Sequence, residues 1–467
     1  MQEKELIKKL EDWIENNRKD FVQDVFELVR VRSVRENPVG NFPFGEGPAK
    51  VIDKAIEIGR KYGYETRNTD YHTVDFLHKG KTDKELGMLG HIDVVHEGEG
   101  WDYLPYDPIE KDGYLIGRGA GDNKGPSIAM LYAMRAIDEL GIELNHSIRT
   151  IWGANEETGM QDVKHYLTKH NPPEISLVGD ACFPLCIGEK GILTADLTMD
   201  IGSDSNLLEF EGGLSSNAVP DSAFMVFATD FEKVKAALAG TELTIEKVSA
   251  GTKISAKGIA RHAAFPEGGK SATNTLAAIV LASGLLEGNA ECAVKFIAEA
   301  FADYYGEGLG INFEDDISGK TTHIGGYIKL KNGILSQNIN VRYAIKTDRE
   351  KMFDNLNKTA NTAGFAVENI SDSPPRYDSP EDPKIKLLIK TTEDFVGGDM
   401  TPIVIGGGTH ARNFPNAIPY GPEILRDEAD KLYGGPHSVN EGVKLETLLN
   451  AIKIYAVTLI RLDELLS

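Results

Sequence analysis

The sequence has few cysteines, fewer basic than acidic residues, and no long apolar run. Its 3 cysteines are too few, and odd in number, for a disulfide framework. Lys and Arg total 50 against 72 Asp and Glu, a net charge of −22, which argues against nucleic acid or an anionic membrane as partner. The first residues carry charges where a signal peptide has an apolar core, and no stretch is long enough to span a bilayer. We expect a cytoplasmic protein.

The first part of the chain alternates between predicted helices and predicted strands. Apolar residues recur at helical spacing over the first thirty or so residues. Further helices are predicted at 51–62, 127–140 and 161–169, and strands at 73–77, 86–91 and 148–154. This alternation predicts an α/β domain with a mostly parallel sheet covered by helices.

The pattern changes near residue 188, where glycine-rich strands begin to alternate with helices such as 231–238 and 273–286. This is typical of an α+β domain with antiparallel strands. It ends near a turn-rich stretch at 373–380, after which helices are predicted again. We therefore predict a catalytic domain in two parts, 1–187 and 384–467, interrupted by an inserted domain, 188–383, long enough for two α+β sub-domains.

His91 and Asp93 close the apolar stretch Leu86–Asp93, which has the composition of a buried strand. Alternate side chains of a strand face the same way, so the two would point together. A metal-bound imidazole usually has its other ring nitrogen held by a carboxylate or carbonyl, and Asp93 can supply one. Taken alone, the pair is also compatible with an ordinary surface His-x-Asp.

Four carboxylates and a second histidine strengthen the metal interpretation. They are Asp122 in a glycine-rich loop, Glu156 and Glu157 after one predicted strand, Asp180 after another, and His437 in Gly-Gly-Pro-His-Ser. Ligand sites gather at strand ends of open α/β sheets. Two imidazoles with several carboxylates suit a pair of divalent cations, zinc first, with manganese or cobalt as alternatives.

Such a pair of cations needs a bridging carboxylate and can hold a water or hydroxide that attacks a carbonyl. The adjacent Glu156 and Glu157 allow a division of labour, in which one carboxylate binds metal and its neighbour takes the proton of the attacking water. An exposed acidic turn is the other interpretation of this pair, and the preceding strand-like Trp-Gly-Ala-Asn argues against it.

These motifs, in this order, resemble the co-catalytic metallopeptidases that include aminoacylase, carboxypeptidase G, succinyl-diaminopimelate desuccinylase and the dipeptidases. The motifs are His91-x-Asp-Val-Val, Gly-Arg-Gly-x-Gly-Asp122-x-Lys-Gly, Glu156-Glu-Thr-Gly, Asp180 and His437. The long insert, Gly188-Glu-Lys-Gly and Gly406-Gly-Gly-Thr-His-Ala-Arg look most like the bacterial peptidase V type, a carnosinase-like group of dipeptidases.

The resemblance implies two metal ions and a role for each of the clustered residues. One ion would be held by His91, Asp122 and Asp180, and the other by Asp122, Glu157 and His437, with Asp122 as the bridge. Glu156 would be the general base and Asp93 would orient His91. It also implies a cis peptide bond between Asp122 and Asn123, where many relatives have a second Asp in place of the Asn.

The inserted domain would act as a lid over the site. His262, in Gly-x-x-x-His-x-Ala-x-Pro, matches a residue that polarises the scissile carbonyl, with Asn217 assisting. Arg342 matches an arginine that binds the C-terminal carboxylate of the substrate, and Thr409 is a candidate for the same task. Because peptidase V types have a lid that covers its own site, the resemblance implies a monomer.

The resemblance implies a metal-dependent dipeptidase that hydrolyses unblocked dipeptides through a metal-bridging hydroxide. An N-acyl amino acid amidohydrolase with the same two-metal centre is the alternative enzyme. A non-catalytic binding protein on this fold is a third possibility, and the complete set of ligands and base argues against it.

Overall fold

The computed structural model describes residues 3–203, 205–424 and 432–467. Its contacts divide the chain into two compact units. Unit 1 comprises Met1–Ile187, Asp378–Ile403 and Gly408–Ser467, and unit 2 comprises Gly188–Tyr377 and Val404–Gly407. The chain passes between them four times, and two of these crossings lie within the short strands Cys186–Glu189 and Ile403–Ile405.

A six-stranded sheet organises unit 1. Its strands, in spatial order, are Glu65–Thr69, Thr73–His78, Ser147–Gly153, Glu85–His91, Ile175–Val178 and Ala417–Pro419. The last three neighbouring pairs are parallel, whereas the first two are antiparallel. The strand Glu85–His91 lies at the centre and is buried along nearly all its length, as its apolar composition predicts.

Helices cover this sheet and supply most of the apolar packing of unit 1. They are Glu3–Val29, Glu46–Lys61, Lys124–Glu139, Gln161–Lys169, Pro383–Phe395 and Leu445–Leu466, with a short 3-10 helix at His410–Arg412. The helix Lys124–Glu139 is buried on all its faces because it packs on the sheet and against the first and last helices. No helix in the described ranges is long and apolar enough to cross a membrane.

Unit 1 also contains short strands at its margins. Ile109–Lys111, Tyr114–Ile116 and Gly442–Lys444 form an antiparallel sheet, and Ala181–Phe183 pairs in parallel with Pro422–Ile424. Through these pairings, residues from late in the chain lie beside residues from its first part.

Unit 2 contains an antiparallel eight-stranded sheet. Its strands, in spatial order, are Thr244–Val248, Gly251–Lys257, Ser222–Phe227, Leu207–Gly212, Thr322–Lys331, Ile334–Tyr343, Gly191–Asp200 and Ala366–Ser373. Four helices accompany it in the described ranges: Phe231–Ala237, Ala272–Ala282, Gly288–Ala300 and Arg349–Thr362. Short strands occur at Glu314–Asp315, Gly319–Lys320 and Arg376–Tyr377.

Alternation along the strands builds the core of unit 2. In Gly191–Asp200 the side chains of Leu193, Ala195 and Leu197 are buried while those between them are partly exposed. These residues belong to one apolar cluster with the inward faces of the helices. An α/β unit interrupted by an α+β unit confirms the predicted fold class, and the division of the insert into two sub-domains stays a prediction.

Candidate active site

Four candidate residues of unit 1 lie at or just after the carboxyl ends of three neighbouring parallel strands. His91 is the last residue of the central strand Glu85–His91. Glu156 and Glu157 follow the neighbouring strand Ser147–Gly153, and Asp180 follows Ile175–Val178 on the other side. Because the carboxyl ends of parallel strands meet at one edge of the sheet, these side chains lie close together although they are far apart in the sequence.

Asp122 lies between the two histidines and directs one carboxylate oxygen toward each. His91 Nε2 is 3.0 Å from Asp122 Oδ1, and His437 Nε2 is 3.2 Å from Asp122 Oδ2. His91 Nε2 also lies 3.8 Å from Asp180 Oδ2, and His437 Nε2 lies 3.0 Å from Glu157 Oε2. The structure therefore gathers two groups around one shared carboxylate.

These spacings fit metal coordination. Two atoms bound to one tetrahedral zinc ion at its usual bond lengths lie about 3.3 Å apart. The nitrogen-to-oxygen distances around His91 and His437 run from 3.0 to 3.8 Å. Ligand atoms of His91, Asp122 and Glu157 form one compact group, and those of His91, Glu156 and Asp180 form another. The donors are imidazole nitrogens and carboxylate oxygens, which suit borderline divalent ions.

The imidazoles are held in a strongly acidic environment. Burial lowers the pKa of His91, but hydrogen bonds to Asp122 and Asp93 outweigh it and raise that pKa well above its ordinary value. For His437, burial again acts downward, while hydrogen bonds to Asp122 and Glu157 raise its pKa to about 11. A cation bound at these nitrogens would therefore have to displace protons.

The carboxylates are crowded and shielded from water. Burial is the first cause that raises the pKa of Glu157 to about 7, that of Asp180 to about 6, and that of Glu156 well above its usual range. Burial also acts to raise the pKa of Asp122, yet its hydrogen bonds to the two imidazoles bring that pKa well below its usual range. Buried like charges at this spacing favour a bound cation.

Asp93 holds the turn that carries the two glutamates. Its Oδ1 accepts a hydrogen bond from the backbone N–H of Glu156, and its Oδ2 accepts one from Glu157. His91 Nδ1 lies 3.1 Å from the backbone oxygen of Asp93 and 3.5 Å from its Oδ1. The buried Asp93 is therefore placed to orient both His91 and the Glu156–Glu157 turn.

Asn123 connects the strand ends that carry His91 and Asp180. The Asp122–Asn123 peptide bond is cis, as the resemblance implied. The Asn123 Nδ2 donates hydrogen bonds to the Gly179 oxygen at 2.5 Å and to Asp180 Oδ1 at 3.4 Å. An ionised Asp at this position could not donate to either oxygen. The Asn that stands here in place of the Asp of many relatives therefore makes two hydrogen bonds that an Asp would lack.

A buried pair, His410 and Asp162, lies behind the site and was not among the residues predicted to form it. His410 Nε2 lies 3.1 Å from Asp162 Oδ2, and that oxygen also accepts a hydrogen bond from the backbone N–H of Asn155. The pair fits because residue 153 is glycine, since a Cβ there would lie 2.1 Å from Asp162 Oδ2. Asn155 directly precedes Glu156, so the pair holds the start of the Glu156–Glu157 turn through this hydrogen bond.

The predicted substrate residues lie in both units. Asn217 and His262 are on adjacent loops of unit 2, where the backbone N–H of Ala263 donates to the Asn217 oxygen at 2.8 Å. Arg342, also in unit 2, donates from Nη1 to the Gly406 oxygen at 2.9 Å. Thr409 lies in unit 1 and its Oγ1 caps the short helix His410–Arg412. Their roles stay predictions.

Comparisons with known proteins identify the family of this chain. Residues 87–461 match the family described as Peptidase family M20/M25/M40. The Beta-Ala-Xaa dipeptidase of Lactobacillus delbrueckii subsp. lactis is 32% identical over 466 residues, which cover 95% of this chain and 96% of that protein.

Two solved structures share the fold. Human carnosine dipeptidase 1 has a TM-score of 0.61 at 14% identity, covering 98% of this chain and 99% of that one. The di-peptidase Dug1p of Saccharomyces cerevisiae has a TM-score of 0.61 at 13% identity, covering 98% of each chain. The family match spans most of the sequence and includes every strand end that carries a clustered side chain, which confirms the resemblance: the chain belongs to the peptidase family M20/M25/M40.

Proposed function

We propose that the protein is a metal-dependent dipeptidase that hydrolyses the peptide bond of unblocked dipeptides at a two-metal centre. The observation that carries the proposal is the placement of Asp122, whose two carboxylate oxygens lie 3.0 and 3.2 Å from the Nε2 atoms of His91 and His437. A carboxylate so shared between two ligand groups is what a pair of neighbouring cations requires. The name of the Lactobacillus relative supports a dipeptide as substrate.

In this proposal His91, Asp122 and Asp180 hold one ion, and Asp122, Glu157 and His437 hold the other. Zinc fits the mixture of imidazole and carboxylate donors, and manganese or cobalt would suit the same set. When bound, the ions would polarise the scissile carbonyl and lower the pKa of a water molecule between them.

Glu156 is the proposed general base. It is 9% exposed, and its Oε1 has no hydrogen-bond partner within the described residues. One of its carboxylate oxygens lies within 4.8 Å of the ligand atoms of His91 and Asp180, close enough to reach a water molecule beside them. Its raised pKa favours taking a proton from the attacking water and returning it to the leaving amine.

Unit 2 is proposed to act as a lid that supplies groups for binding the substrate. His262 would stabilise the oxyanion, with Asn217 assisting, and Arg342 would pair with the C-terminal carboxylate of the substrate. Thr409 of unit 1 would bind the same carboxylate. A site that holds both ends of a substrate favours dipeptides over longer peptides. We also propose a cytoplasmic monomer, in line with the sequence expectation.

Rates on three substrates, measured before and after chelation, test the proposal. Ala-Leu and β-Ala-His are unblocked dipeptides, whereas N-acetyl-methionine is the substrate of the alternative N-acyl amino acid amidohydrolase. The dipeptides should be cleaved, the rate should vanish on chelation, and added zinc, manganese or cobalt should restore it. Cleavage of N-acetyl-methionine alone would favour the alternative, and activity that survives complete metal removal would refute both.

A further inference from the structure

Glu441 is a fully buried carboxylate that lies four residues after His437 and belongs to neither group of clustered ligand atoms. It faces the glycine-rich loop that carries Asp122. Its Oε1 accepts hydrogen bonds from the backbone N–H groups of Gly119, Gly121 and Asp122, at 3.1, 3.0 and 3.1 Å. A single carboxylate oxygen therefore accepts hydrogen bonds from three amide groups of that loop.

Arg118 completes the surroundings of this carboxylate. Its Nη1 donates to Glu441 Oε2 at 2.6 Å, and both side chains are 1% exposed. The backbone oxygen of Glu441 accepts a further hydrogen bond, of 2.9 Å, from Gly117. The loop can wrap this closely because Gly119 has φ +90°, a conformation that favours glycine. The other terminal guanidinium nitrogen, Nη2, donates to the backbone oxygens of His96 and Glu97, whereas Nε has no hydrogen-bond partner among the described residues.

Along the chain, Glu441 is connected to His437 by a short segment that backbone hydrogen bonds close into a loop. The backbone N–H of Gly434 donates to the Asn440 oxygen, and that of Gly442 donates to the Gly434 oxygen, both at 2.9 Å. The Asn440 side chain pairs with Asp102, which anchors the segment a second time. The His437 imidazole itself is 50% exposed, so packing alone does not fix its position.

We propose that Glu441, paired with Arg118, is a positioning residue that sets the distance between Asp122 and His437 and hence the geometry of the metal site that they share. The inference rests on the proposed two-metal function. Glu441 contacts the backbone of one of these ligands directly and is four residues from the other. Asp122 and His437 are 315 positions apart in the sequence, and the Glu441 carboxylate connects the loop of one to the segment of the other.

The other metal site has its own supports. His91 and Asp180 are joined through Asn123, and His91 is also held by Asp93. In the part of the chain that the structure describes, the Glu441 carboxylate forms its hydrogen bonds with Arg118 and the glycine-rich loop and none with those four residues. Asp122 belongs to both proposed sites, but loss of Glu441 leaves the supports of His91 and Asp180 in place and disturbs the segment that carries His437. It should therefore weaken the site of Glu157 and His437 more than the other, whereas loss of a residue that only stabilises the unit would weaken both equally.

Titration of the metal-free protein with zinc alone, followed by calorimetry, tests the inference through the stoichiometry and the two affinities. The variant Glu441→Gln keeps the size of the side chain but removes its charge. We expect it to lose about 10- to 100-fold in affinity at one site and less than about threefold at the other. Glu446→Gln, an exposed change nearby, is the matched control and should bind as the parent does.

Equal loss at both sites in Glu441→Gln, or no loss at either, would overturn the inference. Should the metal-free variant fail to fold, Arg118→Lys decides the matter, because it leaves Glu441 and its amide contacts in place and removes only the fork of the guanidinium. If Arg118→Lys loses zinc affinity at one site only, by less than is expected for Glu441→Gln, the result supports the inference. An equal loss at both sites, or none, overturns it. If the parent bound fewer than two ions, the proposed function would be wrong instead.

Discussion

Asp93 Oδ1 accepts a hydrogen bond of 3.0 Å from the backbone N–H of Glu156. Its other oxygen accepts one from Glu157, while its backbone oxygen lies 3.1 Å from His91 Nδ1. The residue predicted to orient a histidine thus also fixes the turn that presents the proposed base and a proposed ligand. One buried carboxylate sets the relative position of three functional groups, which makes it a sensitive point of the site.

Asp93→Asn should impair the site although it preserves the shape of the side chain. One carboxylate oxygen becomes an NH₂ group that faces an N–H donor, so a hydrogen bond to the Glu156–Glu157 turn is lost. We expect zinc affinity to fall about 10- to 100-fold and kcat/KM on Ala-Leu to fall with it. Metal titration and steady-state kinetics measure both, with the exposed Asp83→Asn as control. A zinc affinity and a kcat/KM equal to those of the parent would show that the contacts of Asp93 with the turn do not affect function.

Glu156→Gln should retain two metal ions and lose turnover by about 10²- to 10⁴-fold, because an amide cannot take a proton from water. Elemental analysis of the purified variant alongside its kcat on Ala-Leu gives both quantities. The exposed Glu99→Gln is the matched control. Normal turnover would reject Glu156 as the base, and loss of an ion would show instead that it is a ligand.

Arg342→Lys should raise the KM for Ala-Leu about tenfold or more, since lysine cannot form the paired hydrogen bonds that a guanidinium makes with a carboxylate. The substrate Ala-Leu-NH₂ has a C-terminal amide in place of that carboxylate. The parent should hydrolyse it more slowly than Ala-Leu, and Arg342→Lys should change its KM little. Thermal unfolding shows whether loss of the Arg342 contact to the Gly406 oxygen harms the fold. A similar change for both substrates would place Arg342 away from the C-terminal carboxylate.

As the pH rises, the metal-free protein should lose stability relative to its Glu157→Gln variant. Burial raises the pKa of Glu157 from 4.5 to about 7. A carboxyl whose folded pKa is raised contributes stability below its unfolded pKa and loses it as pH rises through the folded value. Thermal unfolding of both proteins at about pH 5.5 and 7.5 should show the variant gaining about 2 °C or more on the parent over that interval. A constant difference would contradict the assignment.

Gly153→Ala should disturb the buried pair behind the catalytic turn. The added methyl carbon would lie 2.1 Å from Asp162 Oδ2 and 2.7 Å from His410 Cε1. Such overpacking costs about 1–3 kcal/mol, so the melting temperature should fall, and kcat with it because Asn155 shifts. Gly407→Ala, where no atom lies within 4 Å of the new carbon, is the control for stability. An unchanged melting temperature would mean that the pair can move aside freely.

Much of the fold was predictable because its elements have clear periodicity. The helix predicted at Gln161–Lys169 has those bounds in the structure, and the strand predicted at 148–154 is found at Ser147–Gly153. The helix Gly288–Ala300 was not predicted. Its inward residues Ala290, Ala293, Val294 and Ile297 do follow helical spacing, but small alanines carry a weak apolar signal.

The site was marked most clearly in the sequence where side chains follow strand ends, whereas Asp122 and His437 were predicted from the motifs around them. His91, Glu156 and Asp180 each come directly after or at the end of an apolar strand, which marks them in the sequence. Glu441 and His410 carry no such mark, because their partners are a backbone loop and an aspartate more than 200 positions away. Contacts of that kind depend on how the whole unit folds, and local patterns do not record them.

The order of the clustered residues along the chain has a consequence for biosynthesis. A ribosome that has translated the insert has already released His91, Asp122, Glu157 and Asp180, but neither His437 nor Glu441. The edge strand Ala417–Pro419, which completes the main sheet, is also still to come. A nascent chain therefore holds at most one of the two proposed metal sites, so the proposed hydrolysis has to wait until translation has passed His437.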